Sequence, residues 1–325
     1  MIKTPYARQY IDTNDTKSVN LVLKSDFLTT GPKVLEFEKK ISKYFGSKYT
    51  VAVNSATSAL HLACMALGLK KNDYLWTSPI SFVASSNCGL YCGAKVDFVD
   101  IDNDSFNISI DKLKNKLIKT PKNRLPKIVV IVHLSGHPVD MKKVKELSKK
   151  FKFKILEDAS HAMGSVYRNS KIGNCKYSDV CVFSFHPVKI ITTGEGGSIL
   201  TNSKKIYKLV SDLRSHGIKR NIKIKKNPWH YDQENLGYNY RMNDIEATLG
   251  ISQLLKLKKF VSERNKISDL YKRMLNRKKI KFQKLIEQTK SSMHLFIIRV
   301  HAKIRNKIYL NLKNKGISTN LHYIP

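Results

Sequence analysis

The chain reads as an α/β protein: a large domain on a mostly parallel central sheet, followed by a smaller α+β domain. Three observations predict this. Ile128–His133, a helical pattern over 140–151 and Phe153–Asp158 make a βαβ unit whose strands are largely apolar, as expected of parallel strands covered on both faces. Apolar runs and helix-period segments alternate along the first two hundred residues. At 325 residues the chain can bury a large core and still form a second unit.

The elements follow in order. Residues 31–46 have apolar positions at helical spacing behind Gly31-Pro32 and end in Gly46, which predicts a helix. Tyr49–Val53 is a short strand, and a helix runs from about Ser55 to Leu69. A short segment ends at Pro79, before a helix near 81–92 and strand Lys95–Asp100. Strands over 180–185 and 198–201 complete the large domain, residues 1–235. A basic connection over 217–230 leads to long helices across about 243–277. Strand-like Leu295–Val300, a helix over 305–315 and Ser318–Tyr323 read as the start of the small domain, residues 236–325, expected to be incomplete.

Composition narrows the class. No apolar run is long enough to cross a membrane, and the N-terminus lacks the apolar stretch of a signal peptide. The five cysteines form no CxxC pair and read as small buried residues of a reduced, cytoplasmic protein, with no metal site. The net charge of +34 suggests nucleic acid, but the excess is mainly lysine spread along the chain, as at Lys142-Lys143, Lys204-Lys205 and Lys278-Lys279. No arginine–aromatic interleaving accompanies it, so specific nucleic-acid binding is not expected.

One lysine stands apart. Lys189 follows the apolar run Val180–Phe183 in Ser184-Phe185-His186-Pro187-Val188-Lys189, ahead of Thr192-Thr193-Gly194-Glu195-Gly196-Gly197. A desolvated lysine there is nucleophilic towards an aldehyde, the requirement for a Schiff base with pyridoxal phosphate (PLP). A plain loop lysine at a strand end fits the spacing too. Asn54–Ala59 is a strand-to-helix turn of small and hydroxyl residues, suited to a phosphate or simply capped by Asn54 or Ser55. Asp158 ends a buried strand, where ligands of open α/β sheets bind. It suits a protonated pyridine nitrogen, or caps the next element. Ser184, five residues before Lys189, is within reach of a phosphate.

Taken in order, Asp26–Pro32, Asn54–Leu60, Pro79–Ala84, Glu157–His161, the lysine segment and Gly237–Met242 resemble the DegT/DnrJ/EryC1/StrS family of PLP-dependent sugar aminotransferases, of aspartate aminotransferase-like fold type I. The resemblance runs from residue 5 to the end. It implies Lys189 as the Schiff-base residue and proton carrier and Asp158 as partner of the pyridine nitrogen. It also implies His161 near the ring hydroxyl and Phe82, otherwise a core phenylalanine, stacked on the ring. Ala56, Thr57 and Ser184 are implied at the phosphate, with Asn239 reaching it from the other subunit of a homodimer. Many relatives have glycine at the position of Ala56; alanine serves if its φ is negative. Tyr6, Asp26, Phe27, Leu28 and Thr29 are implied at the sugar-nucleotide site. Lysine rather than histidine at 189 favours transamination over the related dehydratases.

More narrowly, Pro5–Gln9, Ser25–Thr29, Phe185–Lys189 and Ser215–Ile218 resemble the subfamily of the pseudaminic-acid pathway. This implies UDP-2-acetamido-2,6-dideoxy-β-L-arabino-hexos-4-ulose and L-glutamate as substrates. The family usually continues several tens of residues further, so a fragment is expected. Another nucleotide-linked keto-sugar, or a non-catalytic PLP- or sugar-nucleotide-binding relative, are the alternatives. A nicotinamide-dependent oxidoreductase lacks its strand-to-helix glycine pattern here.

Overall fold

The computed structural model describes residues 3–219, 227, 229–275 and 280–324. The core is a sheet of seven strands among the described residues. They are β1 (Tyr49–Val53), β2 (Tyr74–Thr77), β3 (Lys95–Phe98), β4 (Ile128–Val132) and β5 (Lys154–Asp158), then β8 (Val180–Ser184) and β9 (Gly197–Thr201). Between β5 and β8 lies a small hairpin, β6 (Val166–Tyr167) and β7 (Ser170–Lys171). The sheet order is β1-β9-β8-β5-β4-β2-β3. All pairings are parallel except those of β9, which runs against β1 and β8.

Side-chain alternation along the strands divides the core into two layers. Val129, Ile131, Ile155, Cys181 and Phe183 face one layer; Ile128, Val130, Leu156, Val180 and Val182 face the other. The first layer is covered by α2 (Pro32–Phe45), α5 (Ile110–Lys119), α6 (Met141–Phe151) and part of α8 (Asp244–Met274), through Phe37, Leu113, Val144 and Leu257. The second is covered by α3 (Ala56–Ala66), α4 (Ala84–Tyr91) and α7 (Lys204–Leu213), through Leu60, Cys88 and Val210. Helices on both faces explain why every residue of β4 and β8 is buried.

The expected helix over 31–46 is α2. Pro32 opens it, and Gly46 closes it in the left-handed conformation, φ 82°. Gly31 has no side chain to cap with, so Asp244 does it from afar. Its carboxylate accepts from the N–H groups of Gly31, Lys33 and Val34, each at 3.1 Å.

The outline differs from expectation in places. Residues 243–277 hold one helix, α8, up to Met274; 276 and 277 lie outside the described residues, as do Lys278-Lys279 and most of the 217–230 connection. Helix α1 (Thr13–Leu23) was not foreshadowed by its pattern, because it docks partly through polar contacts: buried Asp15 accepts from Gln253 at 2.8 Å and Lys256 at 2.6 Å on α8. Beyond α8, β12 (Lys281–Phe282) pairs with β14 (Ile298–Arg299), and β13 (Thr289–Lys290) extends the β6–β7 hairpin. The helix expected over 305–315 is α9 (Ala302–Asn314), and 318–323 forms no strand. Short β10 (Ile218–Lys219) and β11 (Asp232–Gln233) make up the remaining pair.

Candidate active site

A cavity of about 490 Å³ opens at the carboxyl ends of β4, β5 and β8, against the N-terminus of α3. This is where a parallel sheet places its ligands. It gathers Tyr6, Ala56, Thr57, Phe82, Asp158, His161, Ser184 and Lys189 from five separate stretches of chain. Asp26, Phe27, Leu28, Thr29 and Asn239 do not line it; all five are exposed. Leu28 is tied through its carbonyl to the start of α8, and Asn239 bridges to Ser215.

Asp158 is 5% exposed at the last position of β5. Its Oδ2 accepts from Ser85 Oγ at 2.6 Å, and its Oδ1 from the Ser160 N–H at 3.1 Å and Ser160 Oγ at 2.6 Å. The carboxylate therefore does cap the turn that follows it. Yet among the described residues no cation bonds it, although it is buried and aimed into a cavity. A buried carboxylate so placed calls for a cationic partner.

Lys189 stands across the cavity on the turn after β8, where its N–H donates to the His186 carbonyl at 2.8 Å. Part of the side chain is open to the cavity and protein surrounds the rest. Burial pushes its ammonium down to about 8, with the Asp158 charge opposing that fall. A solvated turn lysine would not be shifted this way: this amine gives up its proton more readily than an ordinary lysine.

The third wall is the α3 N-terminus. Ser55 caps it, accepting from the Ser58 N–H at 3.1 Å. That leaves the N–H groups of Ala56 and Thr57 at the open helix end, a fitting cradle for an anion. Ala56 opens the helix with an ordinary negative φ, as an alanine there requires. Gly197 makes the cradle possible: a Cβ on it would come within 2.6 Å of Ala56 N and of the Ser55 carbonyl carbon. Gly197→Ala is expected to weaken anion retention and cost about 2–3 kcal/mol of stability, read by PLP titration and thermal melting.

Several lining groups had no signal in the sequence. His294, His322, Tyr323 and Asn320 come from the far end of the chain. The His294 ring lies 4.4 Å from that of His161. Both imidazoles are held well below their ordinary value by burial, and Lys189 adds to that. His322 Nε2 meets the Tyr6 hydroxyl at 2.7 Å, and burial pushes that phenol up to about 12. Ser85 and Ser160 are likewise new, since nothing in the local pattern ties Ser85 to a carboxylate 73 residues away.

The arrangement fits PLP on its own terms: an anion cradle at a helix end, a deprotonatable lysine, and a buried carboxylate that no cation bonds among the described residues. A lysine and a carboxylate so disposed on an α/β sheet define a PLP-dependent enzyme. The comparisons agree. The profile of the DegT/DnrJ/EryC1/StrS aminotransferase family matches residues 9–325, and the chain belongs to that family. It is 39% identical over 324 residues to the UDP-4-amino-4,6-dideoxy-N-acetyl-beta-L-altrosamine transaminase of Campylobacter jejuni, covering 98% of this chain and 83% of that one. Among solved structures it resembles Helicobacter pylori PseC, an aminotransferase involved in the biosynthesis of pseudoaminic acid. The TM-score is 0.89 at 33% identity, over 98% of this chain and 84% of that one. The PLP-form of Streptococcus pneumoniae Spr1654 superposes with a TM-score of 0.88 at 30% identity, over 99% and 85% of the two chains. The protein is a PLP-dependent sugar aminotransferase with the fold its sequence predicts.

Proposed function

We propose that the protein moves the amino group of L-glutamate onto the keto carbon of a UDP-4-keto-6-deoxy-N-acetylhexosamine, UDP-2-acetamido-2,6-dideoxy-β-L-arabino-hexos-4-ulose, in pseudaminic acid biosynthesis. The observation that carries the chemistry is Lys189, an amine lowered to about 8, in one cavity with a buried Asp158 that no cation bonds among the described residues. The similarity to the Campylobacter transaminase supports the sugar.

The bound cofactor supplies an electron sink for the charge left when a carbon loses its proton. The residues divide the remaining work. Lys189 would hold the cofactor through its aldehyde, and its amine is the group that would carry a proton at the reacting carbon. Asp158, anchored by Ser85 and Ser160, keeps the ring nitrogen protonated. The N–H groups of Ala56 and Thr57, with Ser184, would hold the phosphate, and Phe82 would cover the ring. His161 stands beside Lys189 as a hydrogen-bonding group, and Tyr6 lies on the substrate side with His322.

Asn239 and Asp26–Thr29 fit a homodimer with shared sites, because they are exposed and do not line their own cavity. Free thiols at all five cysteines support a reducing, cytoplasmic setting. Among the described residues no helix is long and apolar enough to cross a membrane.

The test is incubation with glutamate and a panel of nucleotide-linked keto-sugars. 2-Oxoglutarate should form with the UDP-β-L-arabino-hexos-4-ulose. Formation only with a different keto-sugar overturns the assigned substrate and favours the alternative nucleotide sugar.

A further inference from the structure

Residues 283–294 lie far along the chain from the cavity strands, yet they converge on one turn beside the site. That turn, Leu134–Gly136, follows β4, and within it Ser135 has φ 58° and ψ 6°. This left-handed backbone is uncommon for a residue with a Cβ and has to be held in place. The Ser135 N–H donates to His161 Nδ1 at 3.2 Å. A backbone N–H can only donate, so Nδ1 accepts and carries no proton. In the neutral ring the proton is therefore on Nε2, which faces the Tyr323 hydroxyl at 3.4 Å in the cavity.

The clamp on the turn comes from the C-terminal part of the chain. Ser135 Oγ bonds Gln283 Oε1 and lies 3.1 Å from His137 Nδ1. Gln283 Nε2 donates to the Ser105 carbonyl at 2.6 Å and the Leu134 carbonyl at 3.2 Å. The His294 N–H donates to the Ser135 carbonyl at 2.9 Å, and Ser292 Oγ to the His161 carbonyl at 2.7 Å. Gly136, φ 93°, lets the turn press close, since a Cβ there would stand 2.8 Å from the His161 carbonyl oxygen. Gln283 and Ser135 are buried and neither lines the cavity.

We propose that Gln283 is a positioning residue that, through Ser135, fixes the proton of His161 on Nε2, so that the cavity always meets an N–H donor there. Without Gln283 the Leu134 carbonyl keeps the His137 N–H at 3.0 Å but loses the amide donor, the left-handed turn loosens, the Ser135 N–H parts from Nδ1 for part of the time, and both tautomers become populated. The charged and titratable groups facing His161 are Lys189, His294, His322 and Tyr323. Burial, with the Lys189 charge adding to it, opposes a second proton on the ring, so the tautomer decides what the ring offers. The proposal rests on the PLP reading only for what meets that donor; the position of the proton does not depend on it.

The experiment is long-range 1H–15N correlation on 15N-histidine-labelled holoenzyme, with His161 assigned by the signals that vanish in His161→Gln. Wild type should show a single Nε2–H tautomer. Gln283→Ala should show mixed tautomers and hold PLP about tenfold more weakly, the scale of one lost hydrogen bond in a dry site, with circular dichroism unchanged. Gln283→Met keeps the side-chain bulk without its hydrogen bonds and should show the same mixed tautomers; it decides the matter if Gln283→Ala does not fold. A wild-type proton on Nδ1, or a single unchanged tautomer with unchanged PLP affinity in the folded variants, overturns the proposal. Failure of wild type to bind PLP at all would count against the proposed function instead, and the tautomer would still be readable.

Discussion

Lys189→Ala is expected to lower transamination by roughly ten-thousandfold or more, the scale of losing the nucleophile of a covalent mechanism, and to leave a folded protein. Among the described residues the Lys189 ammonium bonds nothing, so its removal breaks no network. It should even relieve a cost. A lysine whose folded value lies near 8, below its ordinary 10.5, destabilises the fold wherever it is protonated. That penalty is full below about 8 and fades as the pH climbs towards 10.5. Apo Lys189→Ala should therefore melt higher than apo wild type at pH 7, with the gap closing by pH 10. The same shift makes PLP capture by wild type accelerate as the pH rises through about 8. At pH 7 the free-amine fraction is on the order of 300-fold larger than for an unperturbed lysine. Borohydride should fix the cofactor to wild type but not to the variant. Retained visible absorption after borohydride and gel filtration in Lys189→Ala would remove Lys189 from its role.

The parts of this site legible in the sequence are those where one residue type sits at the end of a recognisable strand. Asp158 and Lys189 stand out because one closes the buried strand β5 and the other follows the apolar strand β8 in a turn of small and aromatic residues, where a charge needs a reason. The Ser55–Thr57 turn is visible for the same cause, as a strand-to-helix junction without bulky side chains. What the sequence could not show is assembled by return of the chain. Ser85 reaches Asp158 from 73 positions away, and Gln283 reaches Ser135 from 148. No periodicity encodes either pairing. Helix α1 hid for a related reason, since its buried contact with α8 is an aspartate among polar partners, which dilutes the apolar stripe. Nor does the pattern of 318–323 show that His322 and Tyr323 line the cavity.

Asp158→Asn carries the second large effect: turnover lower by roughly a hundred- to a thousandfold, as when one preorganised electrostatic contact is lost, with PLP still bound. The neighbouring serines make the substitution sterically and chemically tolerable. The Ser160 N–H cannot reverse, so the amide oxygen must face Ser160, where it keeps the bond that Oδ1 now accepts at 3.1 Å. The amide nitrogen then faces Ser85 Oγ, which rotates to accept. The pocket keeps its shape and loses only its negative charge, and with it the group proposed to hold a proton on the cofactor nitrogen. A second consequence separates charge from shape. The Asp158 carboxylate now holds the Lys189 ammonium up against the effect of burial. In Asp158→Asn the pH midpoint of PLP capture should therefore drop below about 8, whereas a merely loosened site would move it up, towards the value of a solvated lysine. Turnover within tenfold of wild type, or a midpoint that rises, would show that Asp158 is a cap for its turn and nothing more.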